Sequence, residues 1–228
     1  MTYMIRARLR RDAVGSDGAL VKLVADNALA PGKRHDLVWT LFSDGPERDR
    51  DFVFRMDEDA GRPVVTAYAP RPPTEDARRL WEVWHKPFVP KLYPGDRLRF
   101  SLRVNPVKQA GNARIDAVYD AFDARRKAAE AAGETVPDRL EIARDVGCAW
   151  LDRRASALGL EFDAQALEAE AYRTETIRKP GGKRFTLSLL DLTGLAEVTD
   201  PQRLIEALPA GIGKGKAYGC GLMLMARA

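Results

Sequence analysis

The 228-residue chain contains two cysteines and two histidines, and these scarcities bound it before anything else does. Cys148 and Cys220 lie in apolar surroundings without the paired spacing of a zinc site. They read as small core residues and exclude a disulfide or metal framework. No run of about 18 apolar residues exists, so no segment reads as crossing a bilayer and no membrane partner is expected. The N-terminus, MTYMIRARLRR, is charged but has no apolar stretch of signal-peptide length, so a cytoplasmic location is expected. Nucleotide cofactors recede as well. A Walker loop needs Ser or Thr where Ala217 follows Lys216, and a dinucleotide fingerprint needs glycine where Lys216 stands. We therefore expect no cofactor.

What remains is an ordinary globular composition, 45% hydrophobic and 31% charged, with a net charge of +4. The positive surplus is uneven. Residues 1–110 carry 20 Lys and Arg against 15 Asp and Glu, whereas residues 111–228 carry 17 against 18. Basic charge gathered in one half is weak evidence for a nucleic-acid partner.

Periodicity predicts an α+β fold. Residues 3–10, YMIRARLR, alternate as a strand with Tyr3, Ile5, Ala7 and Leu9 on one face and arginines on the other, and RLRFSLRV at 97–104 repeats the device. Between them come a helical segment from about Ser16 to Ala28, a short helix from Lys33 to Phe42, a hairpin over 52–69, and a helix near Glu75 to Trp84. That order is βαββαβ, the ferredoxin-like or RRM-like unit, in which the two arginine rows would be neighbours. Asp57, Glu58 and Asp59 read as the polar turn of the hairpin rather than a metal site. After Asn105-Pro106 two helical stretches precede strands at about 167–177 and 185–192, joined by RKPGGKR. A helix capped at Thr199-Asp200-Pro201, a glycine-rich stretch and a final strand complete a second, degenerate unit. The expected domains are 1–106, an N-terminal ferredoxin-like domain, and 107–228, its C-terminal counterpart.

The stretch GIGKGKAYGCG, Gly211 to Gly221, repeatedly omits a side chain. This suits positive φ angles or close approach of a bulky partner, or else a connection without functional meaning.

GIGKGKAYGCGLMLM, following the TDPQRLIEAL helix, resembles the C-terminal signature of the CasE family, the CRISPR repeat-RNA endonucleases of subtype I-E. HDLVWTLF (His35 to Phe42), RLRFSLRVNPVK (Arg97 to Lys108) and LTGLAEVTDP (Leu192 to Pro201) are similar to further stretches of that family, in the same order. The resemblance implies two tandem ferredoxin-like domains that bind a CRISPR repeat stem-loop and cut precursor RNA at the base of the stem. It also implies that the protein keeps the mature CRISPR RNA and joins other subunits of the Cascade complex. A subunit that binds the same RNA without cutting it is the alternative.

RNA supplies its own nucleophile, because each 2′-hydroxyl lies beside the 3′-phosphate, and no metal is needed if the linkage is held in line. A proton must leave the 2′-oxygen, another must reach the departing 5′-oxygen, and charge on phosphorus must be stabilised. His35, in GKRHDLVW, is the candidate catalytic residue. A helix start and neighbouring Lys33 and Arg34 would disfavour its charged form, and both cations can meet phosphate. On local sequence alone a surface histidine in a basic turn is the heavier reading, and the resemblance reverses that order. His85 is assigned no role. Some relatives place a tyrosine one turn before the histidine, where this chain has Gly32, which leaves the general acid open. The expected RNA-binding set is Lys33, Arg34, Arg103, Lys108, Arg178, Lys179, Lys183, Arg184, Gly213, Lys214, Gly215 and Lys216. Arg178 to Arg184 resembles the family's basic hairpin against the RNA stem, and Lys214 and Lys216 its glycine-rich loop against the RNA backbone.

Overall fold

The structure, a computed structural model, describes residues 1–11, 34–42, 49–178 and 181–228. The expected helix at 16–28, Gly32, Lys33 and Lys179 lie outside these residues. The chain packs as two compact units that interleave along the sequence: residues 1–90, 176–186 and 208–222 form one, and residues 91–175, 187–207 and 223–228 the other. The units therefore do not follow the two halves of the chain.

In the first unit, β1 (Tyr3–Leu9), α1 (Arg34–Trp39), β2 (Val53–Asp59), β3 (Arg62–Ala69) and β4 (Trp81–Pro87) follow in order. The strands form an antiparallel sheet in the order β2-β3-β1-β4, the strand order of the ferredoxin-like unit. The alternation read in β1 is the cause of its burial: Ile5 and Ala7 are fully buried while Arg6 is exposed. Their apolar side joins Leu37, Val38, Leu41, Phe42, Phe54 and Trp81 in one core.

One expectation is corrected here. Glu75 to Trp84 is not a helix but a single 3-10 turn, Glu75–Arg79, followed by β4. Trp81, Val83 and Trp84 are residues that fit a pleated surface better than a helix interior, and pairing with β1 decides the outcome. The fourth strand of the first sheet is thus β4. Arg97–Val104, β5, begins the second sheet instead, and the two arginine rows are not neighbours.

The second unit contains β5 and a short hairpin that the periodicity did not disclose, β6 (Val107–Ala110) with β7 (Ala113–Asp116). Helices α2 (Ala117–Ala132) and α3 (Arg139–Leu158) follow, then β8 (Leu160–Phe162), β9 (Glu168–Arg178), β10 (Arg184–Val198), α4 (Pro201–Ala210) and β11 (Met223–Arg227), of which the end of β9 from Thr176, the start of β10 up to Thr186 and the end of α4 from Leu208 belong to the first unit. The sheet order is β11-β5-β10-β8, with β9 also on β10. This again places the first strand between the last and the third. Asp200 caps α4 as expected, its Oδ1 accepting from the N–H groups of Gln202 and Arg203 at 3.1 Å each. Helix α3 lies close on the sheet at Gly147, where a Cβ would come within 2.6 Å of Leu192. Among the described residues no helix is long and apolar enough to cross a membrane.

Candidate active site

Helix α1 is only six residues long and buries Leu37 and Val38. His35 and Trp39, one turn apart, share another side of it. The His35 ring stacks on Phe52 with centroids 6.2 Å apart, and its centroid lies 6.4 Å from that of Phe54. The Trp39 indole N–H donates to His35 Nε2 at 3.2 Å. That bond assigns the proton of the neutral ring to Nδ1, which stands 3.9 Å from Asp36 Oδ1, and leaves Nε2 as the basic nitrogen. Burial, and after it the charge of Arg50, hold the imidazole below its ordinary value of 6.5, against an upward pull from Asp36. Burial leads among these causes.

Arg50 enters the site from the segment just before β2. One terminal nitrogen, Nη1, is buried without a hydrogen-bond partner among the described residues. On the other side comes the glycine-rich stretch. Its 3-10 turn, Lys216–Tyr218, packs against both α1 and β2. Lys216 Nζ donates to the carbonyl of Ala210 at 2.7 Å. Burial, then the charges of Arg50 and Lys214, lower its pKa from the usual 10.5. The charges of Arg50 and Lys216 thus act on one another and Arg50 acts on the neutral His35 ring, all three within the first unit.

Much of what approaches the glycine-rich backbone is the protein itself. The N–H of Ile212 donates to the carbonyl of Gly221 at 2.8 Å. Gly221 has φ +88°, and a Cβ there would lie 2.6 Å from the Ile212 carbonyl oxygen; one on Gly211 would lie 2.8 Å from Val53 Cγ2. The loop is clasped at its base and pressed on β2. Between these anchors Gly213 and Gly215, both at φ 81°, flank the exposed Lys214.

The basic hairpin belongs to the same unit. Arg178, Lys183 and Arg184 are exposed around a turn carried by Gly181 and Gly182 at φ 85° and 81°. Phe185 next to them meets Tyr218 edge-on, with centroids 5.5 Å apart, so the hairpin tip is braced on the glycine-rich stretch. Arg34 is half-buried at the start of α1.

Arg103 is a correction. It is 9% exposed and bonded to Asp191 through Nε at 2.6 Å and Nη2 at 3.1 Å, with Arg173 on the same carboxylate at 2.9 Å. Asp191 faces it directly across β5 and β10. A buried, neutralised guanidinium in that register serves the sheet, not a phosphate. Lys108 is exposed and pairs with Asp120 at 2.6 Å.

Three features of the site were missed in the sequence. The four-residue spacing of His35 and Trp39 was a usable signal for a capped ring. Alternate Phe52 and Phe54, just before and within β2, were another. Arg50, between Asp49 and Asp51, gave none, because sequence does not tell which charged neighbours pair.

A family model described as CRISPR associated protein matches residues 2–227. The chain is 32% identical over 154 residues to the CRISPR-associated endoribonuclease Cse3 of Thermus thermophilus, an alignment that covers 62% of this chain and 61% of that relative's length. It is 25% identical over 196 residues to the Cascade subunit CasE of Escherichia coli, covering 84% and 89% of the two chains. Its fold is similar to that of Thermus thermophilus Cse3 bound to an RNA representing a pre-cleavage complex, with TM-score 0.71 and 22% identity over 99% and 98% of the two chains.

Proposed function

The chain belongs to the family of CRISPR-associated proteins, and from that premise we propose that it is a metal-independent endoribonuclease acting on CRISPR repeat RNA. It binds the repeat stem-loop, cuts the precursor strand at the base of the stem, and stays on the mature RNA as a subunit of Cascade in the cytoplasm. The observation that carries this reading is a histidine kept neutral by burial and by Arg50, whose charge also acts on Lys216. The hairpin cations Arg178, Lys183 and Arg184 and the exposed Lys214 extend that charge for stem phosphates, together with Arg34, Lys33 and Lys179. An A-form stem is recognised mainly through shape and phosphates, which suits such a set.

In the reaction the 2′-hydroxyl proton passes to His35 Nε2, the 2′-oxygen bonds to phosphorus, and the bond from phosphorus to the 5′-oxygen breaks. The products are a 2′,3′-cyclic phosphate and a 5′-hydroxyl. The departing oxygen takes its proton from His35 once charged, or from the Lys216 ammonium. Bound RNA must displace the Trp39 N–H from Nε2 for the first transfer.

That occupied nitrogen, together with Gly32 where some relatives have tyrosine, favours the second reading, a structural RNA-binding subunit. Incubating the protein with the repeat RNA of its own array in EDTA separates the two. Specific cleavage that disappears with a 2′-deoxy sugar at the cut site is expected, and RNA bound tightly but intact would establish the structural role. His35→Ala is expected to lower the cleavage rate by at least about 10²-fold while leaving binding intact.

A further inference from the structure

A guanidinium is a strong donor of fixed fork geometry, and burying part of it without a partner is costly. Other arginines near strand ends are matched: Arg8 to Glu82, Arg62 to Glu82, Arg55 to Asp57 and Arg71 to Asp51. Arg62 and Arg71 also bury an Nε without a hydrogen bond, yet each keeps a carboxylate, and Arg50 departs from that pattern by having no carboxylate partner among the described residues. Its Nη1 is enclosed and lacks a hydrogen-bond partner among the described residues, while its charge reaches both His35 and Lys216. A buried, unsatisfied donor whose charge acts on both a neutral base and an ammonium is a place for an anion, and the anion that fits two cations and a base is a phosphodiester.

Resting on the endoribonuclease reading above, we propose that Arg50 is a further catalytic residue, whose Nη1 donates to a non-bridging oxygen of the scissile phosphate and stabilises the negative charge that grows there as the 2′-oxygen attacks. The arrangement also explains why one residue can serve two ends. The same charge that meets the phosphate keeps His35 in the neutral form able to accept the 2′ proton.

Among the described residues the charged and titratable groups facing His35 are Asp36 on its own helix, Arg50 before β2, and Lys216 and Tyr218 on the turn packed against that helix, with Lys214 beside Lys216. Removing Arg50 changes the charge next to the ring and leaves the glycine-rich backbone in place. Arg50→Met is therefore measured in single-turnover cleavage of repeat RNA across pH, beside wild type, with RNA affinity and thermal unfolding recorded for each. The rate is expected to fall about 10²- to 10³-fold, with affinity changed less than about tenfold. The acid limb of the pH–rate profile should move to higher pH, because the imidazole loses the neighbour that disfavours its protonation. A merely structural role would not move that limb. If Arg50→Met does not fold, Arg50→Gln is read by the same measures. A wild-type rate with an unshifted limb overturns the proposal, as does a loss of affinity equal to the loss of rate. Failure of the wild-type protein to cut overturns the endoribonuclease reading, and this one with it.

Discussion

Two arginines with buried guanidinium nitrogens, one in each compact unit, are treated in opposite ways. In the second unit Arg103 lies under the sheet with Asp191 directly opposite and Arg173 sharing the same carboxylate, so buried charge is matched by buried charge. In the first unit Arg50 keeps a buried nitrogen without a partner among the described residues, next to a histidine that burial keeps neutral. Both residues look alike in sequence. The difference teaches that a cation in a sheet-forming strand is neutralised by its cross-strand neighbour, whereas a cation in the segment leading into a strand can be left for an external anion. Function resides in the second kind.

Removing the carboxylate from the matched site breaks the comparison most severely. Burial pushes Asp191 upward, and the hydrogen bonds and charges of Arg103 and Arg173 more than reverse that push, leaving its pKa below the ordinary carboxylate value. Asp191→Ala removes the carboxylate that Arg103 and Arg173 share and leaves Glu175, 3.7 Å from Arg173 Nε, as the remaining anion beside them, and up to about 3 kcal/mol of stability should be lost. For a chain of this size that is a fall of roughly 6–12 °C in Tm. The pH dependence has a definite sign. A carboxylate whose folded pKa is depressed contributes stability above its unfolded pKa and loses it as pH falls through the folded one. Wild type should therefore lose this contribution in the acid range below about pH 4, and the variant should lack that part of the acid transition in melts followed by circular dichroism. An unchanged Tm would mean that the Asp191 carboxylate contributes nothing to the stability of the sheet.

The second test acts on the loop that brings Lys216 to Arg50. Gly221→Ala adds a Cβ 2.6 Å from the Ile212 carbonyl at a φ of +88°, so the loop base must open. A cost of about 2 kcal/mol is expected without RNA present, from left-handed strain plus the clash. Cleavage should fall along with it because Lys216 is carried on the displaced turn. If the thermal midpoint of the free protein is untouched, these glycines serve the RNA and not the protein's own packing.

What could be read in the sequence follows from how local each signal is. The strand alternation of Tyr3–Leu9 and Arg97–Val104, the Asp200 cap and the Gly181-Gly182 part of the hairpin turn are short-range, and all four stand in the structure. The assignment of β5 to the first sheet failed because strand partners are set by long-range pairing, and because an aromatic run, Trp81 to Trp84, satisfies helix and strand patterns equally over so few residues. His35 was legible as a candidate from its residue type and the resemblance. Its nest of Phe52, Phe54 and Trp39 was not, since these come together only when β2 packs on α1. Arg103 was misplaced for the same reason: Asp191 is 88 residues away.

The smallest expected effect concerns Lys108, a cation that is paired yet exposed. Its ammonium and Asp120 are 49% and 44% exposed, so water screens the bond and holding two long side chains together offsets much of the attraction. Lys108→Ala should change stability by less than about 1 kcal/mol, well below the effect at Asp191. Its effect on RNA binding separates two uses of surface charge. A lysine that exchanges Asp120 for a phosphate releases a counterion, and removing it lowers the slope of log Kd against log salt by about one while weakening all repeat sequences alike. A lysine that only tethers helix α2 to the β6–β7 hairpin leaves the slope unchanged. Titrating repeat RNA at several salt concentrations with both proteins decides which use applies, and an identical slope would remove Lys108 from the RNA-binding set as burial has already removed Arg103.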